Sequence, residues 1–116
     1  MTVESVIFDS LKGLVSNRVY PDLAPTMPTK PYVTYQQVGG QAVNFLDTTV
    51  PGKKRSRFQV NVWGDTRSQV SALAGQVEDA LRAVVALQTV IEGAPIATYE
   101  PDTKLRGSMQ DFSFLY

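Results

Sequence analysis

Four cations, Lys53, Lys54, Arg55 and Arg57, fall within five positions of the stretch "VPGKKRSRFQVNVWGD". Such a group can neutralise phosphates without reading base sequence, or meet an acidic protein surface and guide its docking. It can also serve the fold alone, since charges at the entry of a strand keep an exposed hairpin soluble and discourage edge-to-edge pairing. No aromatic residue is interleaved among the four, as single-strand nucleic-acid binding would require. Phe58 follows them, but its alternation with Val60 and Val62 assigns it to the core. The residues by themselves favour the structural reading of this cluster over a nucleic-acid site.

The rest of the chemistry is bounded by missing residue types. With no histidine and no cysteine, Ser-His-Asp and Cys-His catalysis and the common zinc sites are excluded, because each needs an imidazole or a thiolate. Neither a G-x-x-x-x-G-K-[ST] phosphate loop nor a G-x-G-x-x-G turn occurs. Glu78 and Asp79 are neighbours on a helix, so they point in different directions and read as a solvated face. Glu100 and Asp102 flank Pro101 and read as turn chemistry. An enzyme built on carboxylates alone would need distant acids to converge in one pocket. The expectation is a protein with no catalytic residue, no cofactor and no metal.

Composition sets the frame for these residues. A chain of 116 residues can bury a core without metal or disulfide staples, and suits one domain spanning residues 1–116. Eleven Lys and Arg balance eleven Asp and Glu, so no whole-molecule field steers the chain toward nucleic acid or a membrane surface. The lack of cysteine fits a reducing compartment. The opening "MTVESVIFDSLKGLV" has no basic n-region, and its apolar residues are interrupted too often for a signal peptide or membrane span. A soluble protein made and used inside a cell is expected.

The elements follow from periodicity. Val3, Val6, Ile7, Leu11, Leu14 and Val15 recur at helical spacing, with Thr2 as N-cap and Glu4 in the first turn, and predict a helix ending near Asn17. "NRVYPDLAPTMPTKP" carries four prolines and predicts an extended surface connection without a ladder. "YVTYQQV" predicts a strand ending at Gly39 and Gly40, and Phe58, Val60 and Val62 define one face of another. The connection from Gly39 to Ser56 between them is far longer than a hairpin needs. Thr66 and Gln69 have capping-box spacing ahead of a helix whose stripe is Val70, Leu73, Ala74, Val77, Leu81 and Val84. Gln69, Gln76, Glu78, Asp79 and Arg82 fall on its opposite side. "IATYE", the turn "PDTK" and "RGSMQDFSFLY" predict a closing hairpin. The fold class is α+β: an antiparallel or mixed sheet of about four strands with two helices packed on one face. The other face would present Gln59, Asn61, Met109, Asp111, Ser113 and Leu115, joined by Gln36 or Gln37. So weakly charged a surface is either an ordinary solvated sheet face or a subunit interface.

The order of an N-terminal helix, "NRVYPDLAP", "PYVTYQQVGG", "SRFQVNVWGDTRSQVSALAGQVEDALRA" and "DFSFLY" resembles the tail-completion proteins of long-tailed bacteriophages, also called tail-terminator or head-to-tail joining proteins. The resemblance runs over essentially the whole chain, and its markers are structural rather than catalytic. It implies a non-enzymatic virion protein, assembled in the host bacterial cytoplasm, that forms a ring, commonly a hexamer. The ring caps the head-proximal end of the tail tube, ends tube polymerisation and joins the tail to the head connector. The implied partners are further copies of the chain, the tail tube protein and the head-tail connector, with DNA only as cargo in the lumen and no membrane. The resemblance makes Lys53, Lys54, Arg55 and Arg57 candidates for assembly or partner contact. Two alternatives remain: another head-to-tail adaptor or minor tail protein, and a small nucleic-acid-binding domain using the same cations.

Overall fold

Alternation of side chains dictates the centre of the sheet. In the structure, a computed structural model describing residues 2–45 and 50–116, Ser56, Phe58, Val60, Val62 and Gly64 of strand β3 (Arg55–Gly64) are buried, and the residues between them are not. Strand β6 (Leu105–Leu115) runs antiparallel to β3, from Arg55 opposite Leu115 to Gly64 opposite Arg106. Strand β2 (Tyr32–Gln37) pairs antiparallel with the other edge of β3. Strand β5 (Ile96–Glu100) closes the expected hairpin onto β6. In its turn the Asp102 N–H donates to Glu100 Oε1 at 2.9 Å, the local role expected of these acids.

The sheet is larger than the sequence suggests, with six strands among the described residues rather than about four. Strand β1 (Val19–Pro21) runs parallel to β2, which makes the sheet mixed. It lies in the proline-rich stretch expected to form no ladder. A proline is tolerated there because β1 is an edge strand, where the missing N–H faces no partner. The two-residue β4 (Val90–Ile91) was also not foreseen; it and β5 share the edge of β6 away from β3, giving the order β1-β2-β3-β6-β4 with β5 off the end of β4.

Both helices cover one face. Helix α1 (Val3–Leu11) starts where Thr2 Oγ1 accepts from the Ser5 N–H at 3.2 Å. It ends short of Asn17, passing through a single 3-10 turn at Lys12–Leu14 before Ser16 and Asn17 take left-handed φ values of 51° and 68°. Helix α2 (Arg67–Arg82) begins with the Gln69 N–H donating to Thr66 Oγ1 at 3.1 Å. Gln69 Oε1 accepts from the Asp65 N–H at 3.1 Å, one residue ahead of the usual capping-box partner. Arg67 ties the first turn to the sheet, its two terminal nitrogens donating to the Gly107 and Thr98 carbonyls at 2.8 Å each.

The apolar stripes of α1 and α2 close over Phe58, Phe112 and Phe114, all at most 1% exposed. The Phe58 and Phe114 ring centroids lie 5.6 Å apart, within the range of favourable aromatic pairing. Gln110 is the largest polar side chain buried under this roof among the described residues. Gln110, 5% exposed, donates from Nε2 to Glu78 Oε1 at 2.7 Å and to the Gly93 carbonyl at 2.8 Å. Both amide hydrogens are used, which removes most of the cost of burying them. Glu78 therefore leans toward the sheet instead of standing on the solvated face expected of it, while still accepting from Arg82 Nε at 3.4 Å.

Two predictions come from this packing. Gly107 lies opposite Trp63, and a Cβ there would stand 2.7 Å from the indole ring. Gly107→Ala is expected to displace the protein's only tryptophan, changing its fluorescence and lowering unfolding free energy by about 1–3 kcal/mol in chemical denaturation. Burial raises Tyr32 and Tyr35 above the ordinary phenol value of 10.0, with nearby Lys30 partly opposing the shift at Tyr32 and Glu4 reinforcing it at Tyr35. The native state thus holds these protons more tightly than the unfolded chain. Their contribution to stability is complete below pH of about 10 and is lost as pH rises through the raised folded values. The denaturation midpoint should fall in that alkaline window, and Tyr32→Phe with Tyr35→Phe should flatten the fall.

Candidate functional site

The cationic cluster sits where a long connection rejoins the sheet. Residues 38–54 link β2 to β3, and 46–49 of that connection lie outside the described residues. Its outgoing limb is pinned by the Val38 N–H donating to the Arg57 carbonyl at 2.8 Å and the Arg57 N–H donating to the Gly39 carbonyl at 2.7 Å. Gly39 and Gly40 then turn away with φ of 86° and 112°. A Cβ on Gly40 would meet the Arg57 backbone nitrogen at 2.7 Å, so only glycine passes here. The returning limb is pinned to the end of β6: the Lys54 N–H donates to the Tyr116 carbonyl at 2.6 Å, and the Tyr116 N–H donates back at 2.8 Å.

This geometry divides the four cations. Lys53, Lys54 and Arg55 are exposed and line a cleft of about 420 Å³ together with Gln37, Ser56 and Tyr116. None of the three forms an ion pair among the described residues. Arg57 points to the far face of the sheet, where Nε donates to Asp111 Oδ2 at 2.9 Å and Nη1 lies 3.8 Å from Glu92 Oε2. These partners are a quarter to two-fifths exposed, so the pairing contributes at most about 1 kcal/mol. It does hold the Arg57 guanidinium away from the other three.

Sequence reasoning did not find the polar floor of the cleft. Ser56 occupies an inward position of β3, 4% exposed, and its hydroxyl is the middle of a hydrogen-bonded chain. Gln37 Nε2 donates to Ser56 Oγ at 3.1 Å, and Ser56 Oγ lies 2.7 Å from Tyr116 Oη. The available signal was a lone serine in register with the inward apolar run Phe58, Val60 and Val62.

The face away from the helices carries Gln59, Asn61, Met109, Asp111, Ser113 and Leu115, all half-buried. Gln36, opposite Gln59 in the ladder, joins them, whereas Gln37 turns to the helix side. A strap at residues 22–28 overhangs this face and forms a groove of about 570 Å³ lined by Leu23, Met27, Asn61, Trp63 and Met109 among others. Among the described residues, Asp22 is the only charged one lining it. Leu23 and Met27, both lining this groove, are 84% and 93% exposed.

Residues 9–116 match the family described as tail completion protein gp17. No curated protein sequence matches the chain. Among solved structures, a chain from the virion of a native gene transfer agent particle is similar with a TM-score of 0.66 at 17% identity, over 97% of this chain and 92% of that one. The gp17 protein of bacteriophage SPP1 is similar with a TM-score of 0.54 at 16% identity, over 97% of this chain and 87% of the other. At these identities the structural likeness speaks to the fold. The family match spans nearly the whole chain, and by it the protein belongs to the tail completion protein gp17 family of bacteriophages, as a structural component of the virion and not an enzyme.

Proposed function

We propose that the whole chain, residues 1–116, acts as one tail-terminator unit. Copies of it form a ring, with six subunits as the expected number, on the head-proximal end of the tail tube. The ring ends addition of tube subunits and then presents the surface that joins the tail to the head connector. DNA passes through as cargo and is not a ligand.

The observation that carries this reading, beyond family membership, is the separation of two unlike surfaces on an elongated body of 51 × 25 × 24 Å. One is the nearly uncharged groove under the strap with Leu23 and Met27. The other is the sheet end bearing Lys53, Lys54 and Arg55. A ring closes through heterologous contacts, in which one patch of a subunit meets a different patch of its neighbour or partner. A body with two chemically different surfaces suits that arrangement. Lys53, Lys54 and Arg55 serve as assembly contacts with a neighbouring virion component, whereas Arg57 is engaged on the far face by Asp111 and Glu92.

Disrupting the gene is expected to leave overlong or ragged tails detached from filled heads in electron micrographs. Tails of normal length already joined to heads would overturn the terminator role. Replacing Lys53, Lys54 and Arg55 together by glutamate should leave the thermal midpoint within a few degrees of the parent, since exposed charges contribute little to stability. The same variant should fail to restore infectious particles in a complementation assay, because reversed charge opposes docking.

A further inference from the structure

We infer that the cleft at the end of the sheet, lined among the described residues by Gln37, Lys53, Lys54, Arg55, Ser56 and Tyr116, is a receptor for a carboxylate side chain of another virion subunit. This rests on the assembly reading above and assigns a chemistry to one of its contacts. The argument starts from the hydrogen atoms of the polar floor. Gln37 Nε2 can only donate, so Ser56 Oγ accepts from it at 3.1 Å. Ser56 has one hydroxyl hydrogen, is 4% exposed, and has Tyr116 Oη at 2.7 Å. The arrangement that strands no buried donor has Ser56 donating to Tyr116. Tyr116, half-buried and lining the cleft, then carries a hydroxyl hydrogen for which the described residues offer no acceptor.

Lys53, Lys54 and Arg55 line the same cleft, all exposed and without ion-pair partners among the described residues. A cleft that offers a directed O–H and is lined by three cations is complementary to an oxyanion, which accepts hydrogen bonds and carries the opposite charge. The backbone fixes the arrangement, because Tyr116 and Lys54 exchange both main-chain hydrogen bonds. Two sources could supply the oxygens, a protein carboxylate or a nucleic-acid phosphate, and the cleft fits the first. The Tyr116 ring packs against the core, so its hydroxyl and not its π-face is offered, and base stacking is denied. Net charge is zero, so no long-range field gathers a polyanion. A cleft of about 420 Å³ matches a side chain and its flanking backbone.

The test titrates the full-length protein with an end-blocked hexaglutamate peptide, its hexaglutamine counterpart and a short DNA duplex at matched salt, read by amide chemical shifts. Hexaglutamate is expected to move Lys53, Lys54, Arg55, Ser56 and Tyr116, and hexaglutamine to move nothing. Tyr116→Phe keeps the ring and the main-chain pairing and should weaken hexaglutamate binding by about tenfold, the loss of one hydrogen bond to a charged acceptor. Ser56→Ala, which breaks the relay, should weaken it in the same direction. Unchanged binding in both variants, or shifts spread over lysines and arginines elsewhere, would overturn the receptor. Tighter binding of the duplex at the same residues would overturn the carboxylate source in favour of phosphate. Failure of hexaglutamate to bind would remove the receptor and leave the ring untouched, whereas normal head-joined tails without the gene would remove the ring and leave the cleft's affinity measurable.

Discussion

The ladder between β3 and β6 is the constraint on which everything else hangs. Ten residues of one strand oppose ten of the other without a break in register, from Arg55 with Leu115 to Gly64 with Arg106. Because side chains alternate, a one-residue slip of β3 would turn Phe58, Val60 and Val62 out to solvent and carry Gln59 and Asn61 into the core. That penalty fixes the register. It also decides where the helices dock and which edges receive β2, β4 and β5. The cleft inherits its geometry from the same ladder, since the Lys54 and Tyr116 pair continues it one step beyond Arg55 and Leu115.

Much of this was legible in the chain. The central strands announce themselves because one face must be apolar and the other need not be, which writes a period of two into Phe58–Val62 and Phe112–Tyr116. Helix α2 is legible because its cap and stripe are local features, and a cap uses residues three positions apart. Strands β1 and β4 were not, and the reason is length. Three residues or two cannot display a period, and both exist only because a longer neighbour offers an open edge. Glu78 was placed on the wrong face for a related reason. Its partner Gln110 is 32 residues away, and helical position alone does not reveal a polar group waiting in the sheet.

The cationic cluster shows the same division between local and distant information. Arg55 and Arg57 stand two apart on β3 and share a side by alternation, yet Arg57 is drawn to Asp111 and Glu92 while Arg55 lines the cleft. The sequence makes the cluster visible but not its splitting. That depends on Asp111, 54 residues from Arg57, and on where Tyr116 ends beside Lys54. The functional site lies at the boundary, where periodic structure stops and the connection starts.

The pinning of both limbs of residues 38–54 to the same end of the sheet has a consequence for how such a chain can diversify. The ends of this connection are held together by Gly39 with Arg57 and by Lys54 with Tyr116, and none of its described residues belongs to the buried core. Closing a longer excursion over fixed ends is entropically cheap, about 0.6 kcal/mol for each doubling of length. Related chains can therefore lengthen, shorten or re-charge this segment to match a changed partner while leaving the register of β3 and β6 intact. The connection is an adjustable spacer on a scaffold that need not adjust.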